Sequence, residues 1–257
     1  MASAPQSNLP IFFNDLQPLS SNEHGDWKAR PLEAAPWLST QHAIPVTVDE
    51  FAAVQRFYPI IFSLGENPVP LALMGLNEGV NTFVDDAGKP IADAYMPAYI
   101  RRYPYMLARL RDDSEELSLC FDPTAGGIGA FEDGEPLFEN GEPTDATKAI
   151  LGFCEQFEHA GQRTTAFMKE LVDSGLLMDG EVSIQTGEDT QPYIYRGFQM
   201  VDEAKVRDLR GDTLRKMMQS GLLPLVHAHL FSLGIMREIF ARQMQQGKVP
   251  AQVEEDA

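Results

Sequence analysis

Between Thr144 and Ser174, Ile150, Cys154, Phe157, Thr164, Phe167, Met168, Leu171 and Val172 recur at three- and four-residue steps. That spacing predicts one long amphipathic helix, capped by Thr144 and ended by Gly175 in the left-handed conformation, with Leu176 as the apolar contact beyond it. Gly161 weakens its centre. Upstream, the apolar runs are short and punctuated by turns. Ile60–Phe62 and Val69–Leu76 flank Gly65-Glu66-Asn67-Pro68, and Tyr105–Leu110 and Leu117–Phe121 flank the charged loop Arg111–Glu116; each pair reads as a hairpin. Glu181–Thr186 and Tyr193–Val201 make a third. Hairpins come first and helices mostly after, with no alternating βαβ series. The expected class is therefore α+β, with an antiparallel sheet built from hairpins and packed by the long central helix and a helical C-terminal region.

Local signals fill in this frame. Thr47 caps a short helix to Phe57, with Asp49 and Glu50 at its positive end. Pro97 opens another that stops before Pro104. Asp133-Gly134 and Asn140-Gly141 are turn formers. Asp202 caps a helix through Leu209, Asp212 or Thr213 opens the next, and a last helix runs from near Pro224 to about Gln246. Residues 1–45, rich in Pro, Ser and Asn but anchored by Phe12, Phe13, Trp27 and Trp37, are expected to lie as an irregular arm on a single domain of residues 46–247. Residues 248–257 form an acidic flexible tail.

The formal charge of −18 over 257 residues excludes a nucleic-acid binder, which needs basic surface. It also opposes adsorption to anionic lipid. No apolar run approaches the roughly 18 residues that would span a bilayer, so no membrane insertion is expected. The N-terminus has neither a basic start nor a long apolar stretch. The expected location is the cytoplasm, with the cell surface, reached without an N-terminal signal peptide, as the alternative. Cys120 and Cys154 sit far apart on apolar surroundings and read as buried, reduced thiols.

Against this acidity, the segment Tyr95–Tyr105 gathers four tyrosines, two prolines and Arg101-Arg102. Tyrosines offer flat apolar faces with a polar tip, and arginines offer fixed forks that match carboxylate or phosphate oxygens. Tyr95, Tyr99, Arg101, Arg102 and Tyr103 are thus the candidate site for a small anionic or peptide ligand. The same residues also suit an internal clamp, with the arginines held by carboxylates such as Asp202 or Glu203. Residue types alone permit both.

Other chemistry finds less support. His227 and His229 lie about 200° apart on a helix and cannot share one metal ion. One should pack inside and the other face outward. Gly126-Gly127-Ile128-Gly129 lacks the spacing of a phosphate loop and reads as a flexible loop. The carboxylates between Asp112 and Asp145 lack the order of a calcium loop. Asp202 and Glu203 read as a cap and a first-turn residue. No complete catalytic constellation is visible and no cofactor is expected.

Several stretches resemble one family. They are Phe57–Phe62, Asn81–Asp85, Tyr95–Tyr105, Leu137–Glu142, Gly197-Phe198, Val201–Val206 and Gly221–Leu230, in order from about residue 10 to about residue 240. Together they are similar to the bacterial SapC family, with Tyr-x-Pro-Ala-Tyr-Ile-Arg-Arg-Tyr-Pro and His-Ala-His-Leu the most specific elements. Gly88-Lys89-Pro90 departs from the pattern, lacking a tryptophan after the glycine. The resemblance implies a surface-layer association. It also implies genes beside TonB-dependent outer-membrane receptors and flavin-dependent tryptophan-halogenase-like proteins. It carries no catalytic residues. The expectation is an accessory or binding protein of the surface layer or of outer-membrane nutrient uptake, partnered by a receptor system or a flavoprotein. The alternative is an enzyme or enzyme partner in a peptide or amino-acid tailoring pathway with a halogenase-like flavoprotein.

Overall fold

The structure, a computed structural model, describes residues 9–32, 34–91, 93–110, 116–185 and 191–248. In chain order the N-terminal elements are β1 (Gln17–Pro18), α1 (Ser21–His24), β2 (Lys28–Ala29), β3 (Ala43–Pro45), α2 (Phe51–Val54), β4 (Ile60–Phe62), β5 (Pro70–Leu73) and α3 (Ala98–Arg102). Then follow β6 (Tyr105–Arg109), β7 (Leu117–Phe121), β8 (Ile128–Gly129), β9 (Glu135–Pro136), β10 (Phe138–Glu139), β11 (Glu142–Pro143) and α4 (Asp145–Asp173). The remainder is β12 (Leu177–Ile184), β13 (Tyr193–Val201), α5 (Glu203–Arg207), α6 (Gly211–Ser220), α7 (Leu222–Ser232) and α8 (Met236–Gln245). The α+β class with antiparallel sheets and a long helix is as the sequence predicts. Contacts group the chain into two compact units, residues 1–33 with 100–159 and residues 34–99 with 160–257.

The first unit holds the antiparallel sheet β1-β7-β6, the small sheet β8-β2-β9 and the hairpin β10-β11. Its core is Tyr105, Leu107, Phe121, Ile128, Leu137, Phe138 and Cys154, with Trp27, Ile150 and Leu151 packed on it. Ile150 and Cys154 are the face of α4 that the three- and four-residue spacing singles out. Asn140 (φ 52°) and Gly141 (φ 83°) connect Glu139 to its partner Glu142. Two successive left-handed residues make the tight hairpin turn that Asn-Gly favours. The Gly126–Gly129 segment is not a free loop here. Gly126 (φ 75°) ends a 3₁₀ turn capped by Asp122, and Ile128–Gly129 is β8.

The second unit carries a five-stranded antiparallel sheet in the order β12-β13-β4-β5-β3. Ile60 faces Ala72, and Phe62 faces Pro70 and, on its other side, Gln199. Phe62, Phe51 and Phe167 of α4 meet edge to face or tilted at 5.7–6.4 Å, joining sheet to helix. Thr47 and Glu50 form a reciprocal capping box ahead of α2.

Three further sequence expectations are corrected. The first 45 residues are not wholly irregular, because β1, β2 and β3 lie among them. Strands of two or three residues are too short to show period-two alternation, and they form only by pairing with distant strands. The third hairpin begins at Leu177, not Glu181. The last helix is broken by a 3₁₀ turn at Leu233–Ile235, where Ser232 bonds back to the carbonyl of His229 at 2.7 Å, a contact that bends helices. Most of the Arg111–Glu116 loop, Thr186 and the acidic tail beyond Lys248 lie outside the described residues.

Candidate functional site

The Tyr95–Tyr105 segment is divided between the units. On the second-unit side it is fastened to one buried carboxylate. Glu50 accepts the Thr47 amide at 2.9 Å on Oε1, and the Tyr95 hydroxyl at 2.9 Å and the Ala98 amide at 2.8 Å on Oε2. Tyr58 donates to the Tyr95 carbonyl at 2.8 Å, and burial raises its phenol well above the ordinary range. Tyr95 and Tyr99 are therefore half-buried and buried parts of the second unit. Glu50, read from sequence only as favourable to a helix N-terminus, also anchors α3.

On the first-unit side, Arg101 and Arg102 each lie over a phenylalanine of α4. Arg101 is exposed, with its guanidinium 5.1 Å from the Phe153 ring centroid. Arg102 is only 5% exposed, 4.4 Å from Phe157 and 5.7 Å from Phe13. Phe153 and Phe157 are four residues apart and so share one helix face. One carboxylate near Arg102 is Glu158, at 4.0 Å and 39% exposed. Asp202 and Glu203, the partners suggested by sequence, do other work: Asp202 accepts the Ala204 and Lys205 amides at the start of α5, and Glu203 pairs with Arg207.

Tyr103 completes this side. It packs edge to face on Phe12 and Phe13 at 6.0 and 5.1 Å. Burial and the hydrogen-bonded Asp122 carboxylate push its phenol up to about 12. Asp122 is fully buried and also accepts the Asn14 amide at 2.7 Å and the Thr124 hydroxyl at 2.6 Å. Phe12 holds a φ of 82°, which a side chain with a β-carbon adopts only under constraint. Phe13 thus joins Arg102 and Tyr103 in one aromatic cluster.

The His-Ala-His element is built for structure. Continuing the Phe62–Gln199 register would set Ile60 opposite Val201. Instead the His229 ring sits between them. Its Nε2 accepts the Val201 amide at 3.0 Å, which leaves Nδ1 as the protonated nitrogen, donating to the Ile60 carbonyl at 2.7 Å. Ser232 Oγ accepts the Ile60 amide at 2.8 Å. Two residues of α7 thus replace the missing ladder bonds where β4 and β13 diverge. Burial lowers the His229 pKa to about 4, so the ring is neutral. His227 points elsewhere, as the helical spacing predicts, with Nδ1 2.9 Å from the Leu223 carbonyl and its ring 5.8 Å from Phe231. Sequence fixes the divergence of the two rings but not the bridge, whose strand partners are distant in the chain.

The thiols of Cys120 and Cys154 are buried and free. Burial raises both, Cys154 to about 11, which disfavours the reactive thiolate. Among the described residues no helix is long and apolar enough to cross a membrane. Neither curated proteins nor solved structures match this chain. The family-level comparison does match, to SapC over residues 19–239. That span takes in the Glu50 anchor, both arginines and the His229 bridge, and the chain belongs to the SapC family.

Proposed function

We propose that this SapC protein is a non-catalytic accessory that binds a small anionic or peptide ligand at the first-unit half of the Tyr/Arg cluster. The observation that supports this reading is Arg101: an exposed guanidinium lying over Phe153, one residue from the fixed Arg102. A guanidinium has a planar N–H fork whose geometry matches carboxylate or phosphate oxygens. Arg102, Tyr103 and Phe13 form the rigid backing. His229 is committed to two backbone groups and both thiols are buried.

The test is calorimetric titration with inorganic phosphate and with a tripeptide bearing a free carboxylate. Arg101→Ala should weaken binding at least about tenfold, the equivalent of ~1.4 kcal/mol, without lowering the melting temperature. Unchanged affinity in a folded Arg101→Ala protein overturns the site. The setting we propose, as the family resemblance implies, is the surface layer or outer-membrane uptake, with a receptor system or a flavoprotein as partner; the protein itself is proposed to be cytoplasmic. Strictly surface-exposed protein on cell fractionation would contradict the location, and a pull-down recovering neither partner would contradict the pairing.

A further inference from the structure

From Gly221 to Met236 there is no Asp, Glu, Lys or Arg, in a chain that is 23% charged. Helix α7 occupies most of that stretch and buries Leu222, Val226, Ala228, His229 and Ser232. Its other side carries no Asp, Glu, Lys or Arg. Phe231 is 73% exposed, Pro224 is exposed, and Leu223, His227 and Leu230 are half-buried. Leu223, His227, Leu230 and Phe231 follow the three- and four-residue spacing of one helical stripe. A surface helix ordinarily turns charge toward water, and a contiguous apolar stripe marks an interaction surface.

Charge indicates what fits there. From Glu203 to Lys248 there are eight basic residues and four acidic ones, while the rest of the chain has twelve and thirty-four. Two of those four acids are already paired, Glu203 with Arg207 and Asp212 with Arg210. Arg215 and Lys216 of α6 and Arg237 of α8 are exposed and have no ion-pair partner among the described residues. Met218 of α6, 60% exposed, adds apolar surface. Helix α6 packs on α7, and α8 follows it through the 3₁₀ turn. The apolar stripe thus belongs to a stretch of net positive charge in an acidic protein.

Charges are screened over about 8 Å at physiological salt, so a short segment docked here meets the local positive field. An extended anionic bilayer is opposed by the chain's formal charge of −18. We infer that the outer face of α7 docks an acidic amphipathic helix of a partner protein, with apolar residues against Leu223, His227 and Phe231 and carboxylates toward Arg215, Lys216 and Arg237. This surface shares no residue with the Arg101 site, and the inference does not depend on that site.

The experiment places the photoreactive residue p-benzoylphenylalanine at position 231 in the full chain, expressed in the cells that make the protein. After irradiation the cross-linked peptide is sequenced by mass spectrometry. The expected adduct is a segment of another protein with net negative charge and apolar residues at three- and four-residue spacing. Its yield should fall at least about tenfold in a protein that also carries Arg215→Glu and Lys216→Glu, a loss of ~1.4 kcal/mol or more. A basic or uncharged segment, a second copy of this chain, a segment of this chain's own first unit, a lipid adduct, or a yield no higher than from the same probe at exposed Leu110 would each overturn the inference. Circular dichroism of each variant confirms the fold, and a synthetic peptide of the captured segment, titrated against the purified protein, should repeat the charge dependence.

Discussion

The two units each bury a nitrogen-rich side chain from a distinctive motif, and they keep it inside by opposite means. In the second unit His229 is neutral and spends both ring nitrogens on backbone groups that a regular ladder would have paired. In the first unit Arg102 is covered by Phe13 and Phe157, with Glu158 at 4.0 Å. The histidine substitutes for secondary structure, and the arginine is packed as though it were part of an aromatic core. The first arrangement depends on the protonation state of the ring. The second rests on packing against two rings.

Removing each side chain should expose this difference. His229→Ala leaves the Val201 amide and the Ile60 carbonyl buried without partners beside a new void, and should cost roughly 3–5 kcal/mol in urea unfolding. A loss below about 1 kcal/mol would mean that β4 and β13 close directly and that the bridge is dispensable.

Acid should separate the motifs next. The folded pKa of His229, about 4, lies below its unfolded value of about 6.5. Between those values the unfolded chain binds a proton that the folded chain refuses. The bridge's contribution is therefore complete above pH 6.5 and declines as the pH falls toward 4, by about 3 kcal/mol in all. His229→Gln, which can still donate and accept, should flatten stability between pH 6.5 and 5. Arg102→Ala should cost about 2 kcal/mol, mainly through lost packing on two rings, and leave the acid slope as it was. Parallel slopes in wild type and His229→Gln would break the comparison.

Glu50→Gln is a finer probe of the second unit. The carboxylate receives three donors, and an amide must turn N–H toward at least one of them, for a loss of about 1–3 kcal/mol. In the first unit, Gly141→Ala places a β-carbon on a residue with φ 83° and should cost about 1 kcal/mol. Smallest of all is Asp49→Ala. Asp49 pairs with Arg163, whose hydrogen bond lowers the carboxyl pKa, but both side chains are about half exposed, so the loss should stay below about 1 kcal/mol.

What could be read from the sequence was local. The α4 periodicity, the Thr47 and Asp202 caps, the Asn140-Gly141 turn and the divergence of His227 from His229 all follow from residues within a few positions of one another. The missing information was long-range. Glu50 finds Tyr95 and Ala98 more than forty residues on, and His229 reaches back 169 residues to Ile60. Arg101 and Arg102 sought carboxylates in the sequence reading. Their aromatic faces come instead from α4, about fifty residues downstream, where Phe157 reads simply as part of an amphipathic stripe and Phe153 goes unremarked. No pattern in the sequence marks a phenylalanine as the seat of a cation, since any buried aromatic looks the same.

The His229 bridge also gives the second unit a single-proton reporter. The hydrogen on Nδ1 is sealed from water between a ring and a carbonyl, so its exchange with solvent must wait until β4 and β13 part. It should appear as a slowly exchanging imidazole resonance outside the backbone amide envelope. Its disappearance would time the opening of the sheet at one point, without a label and without perturbing either strand.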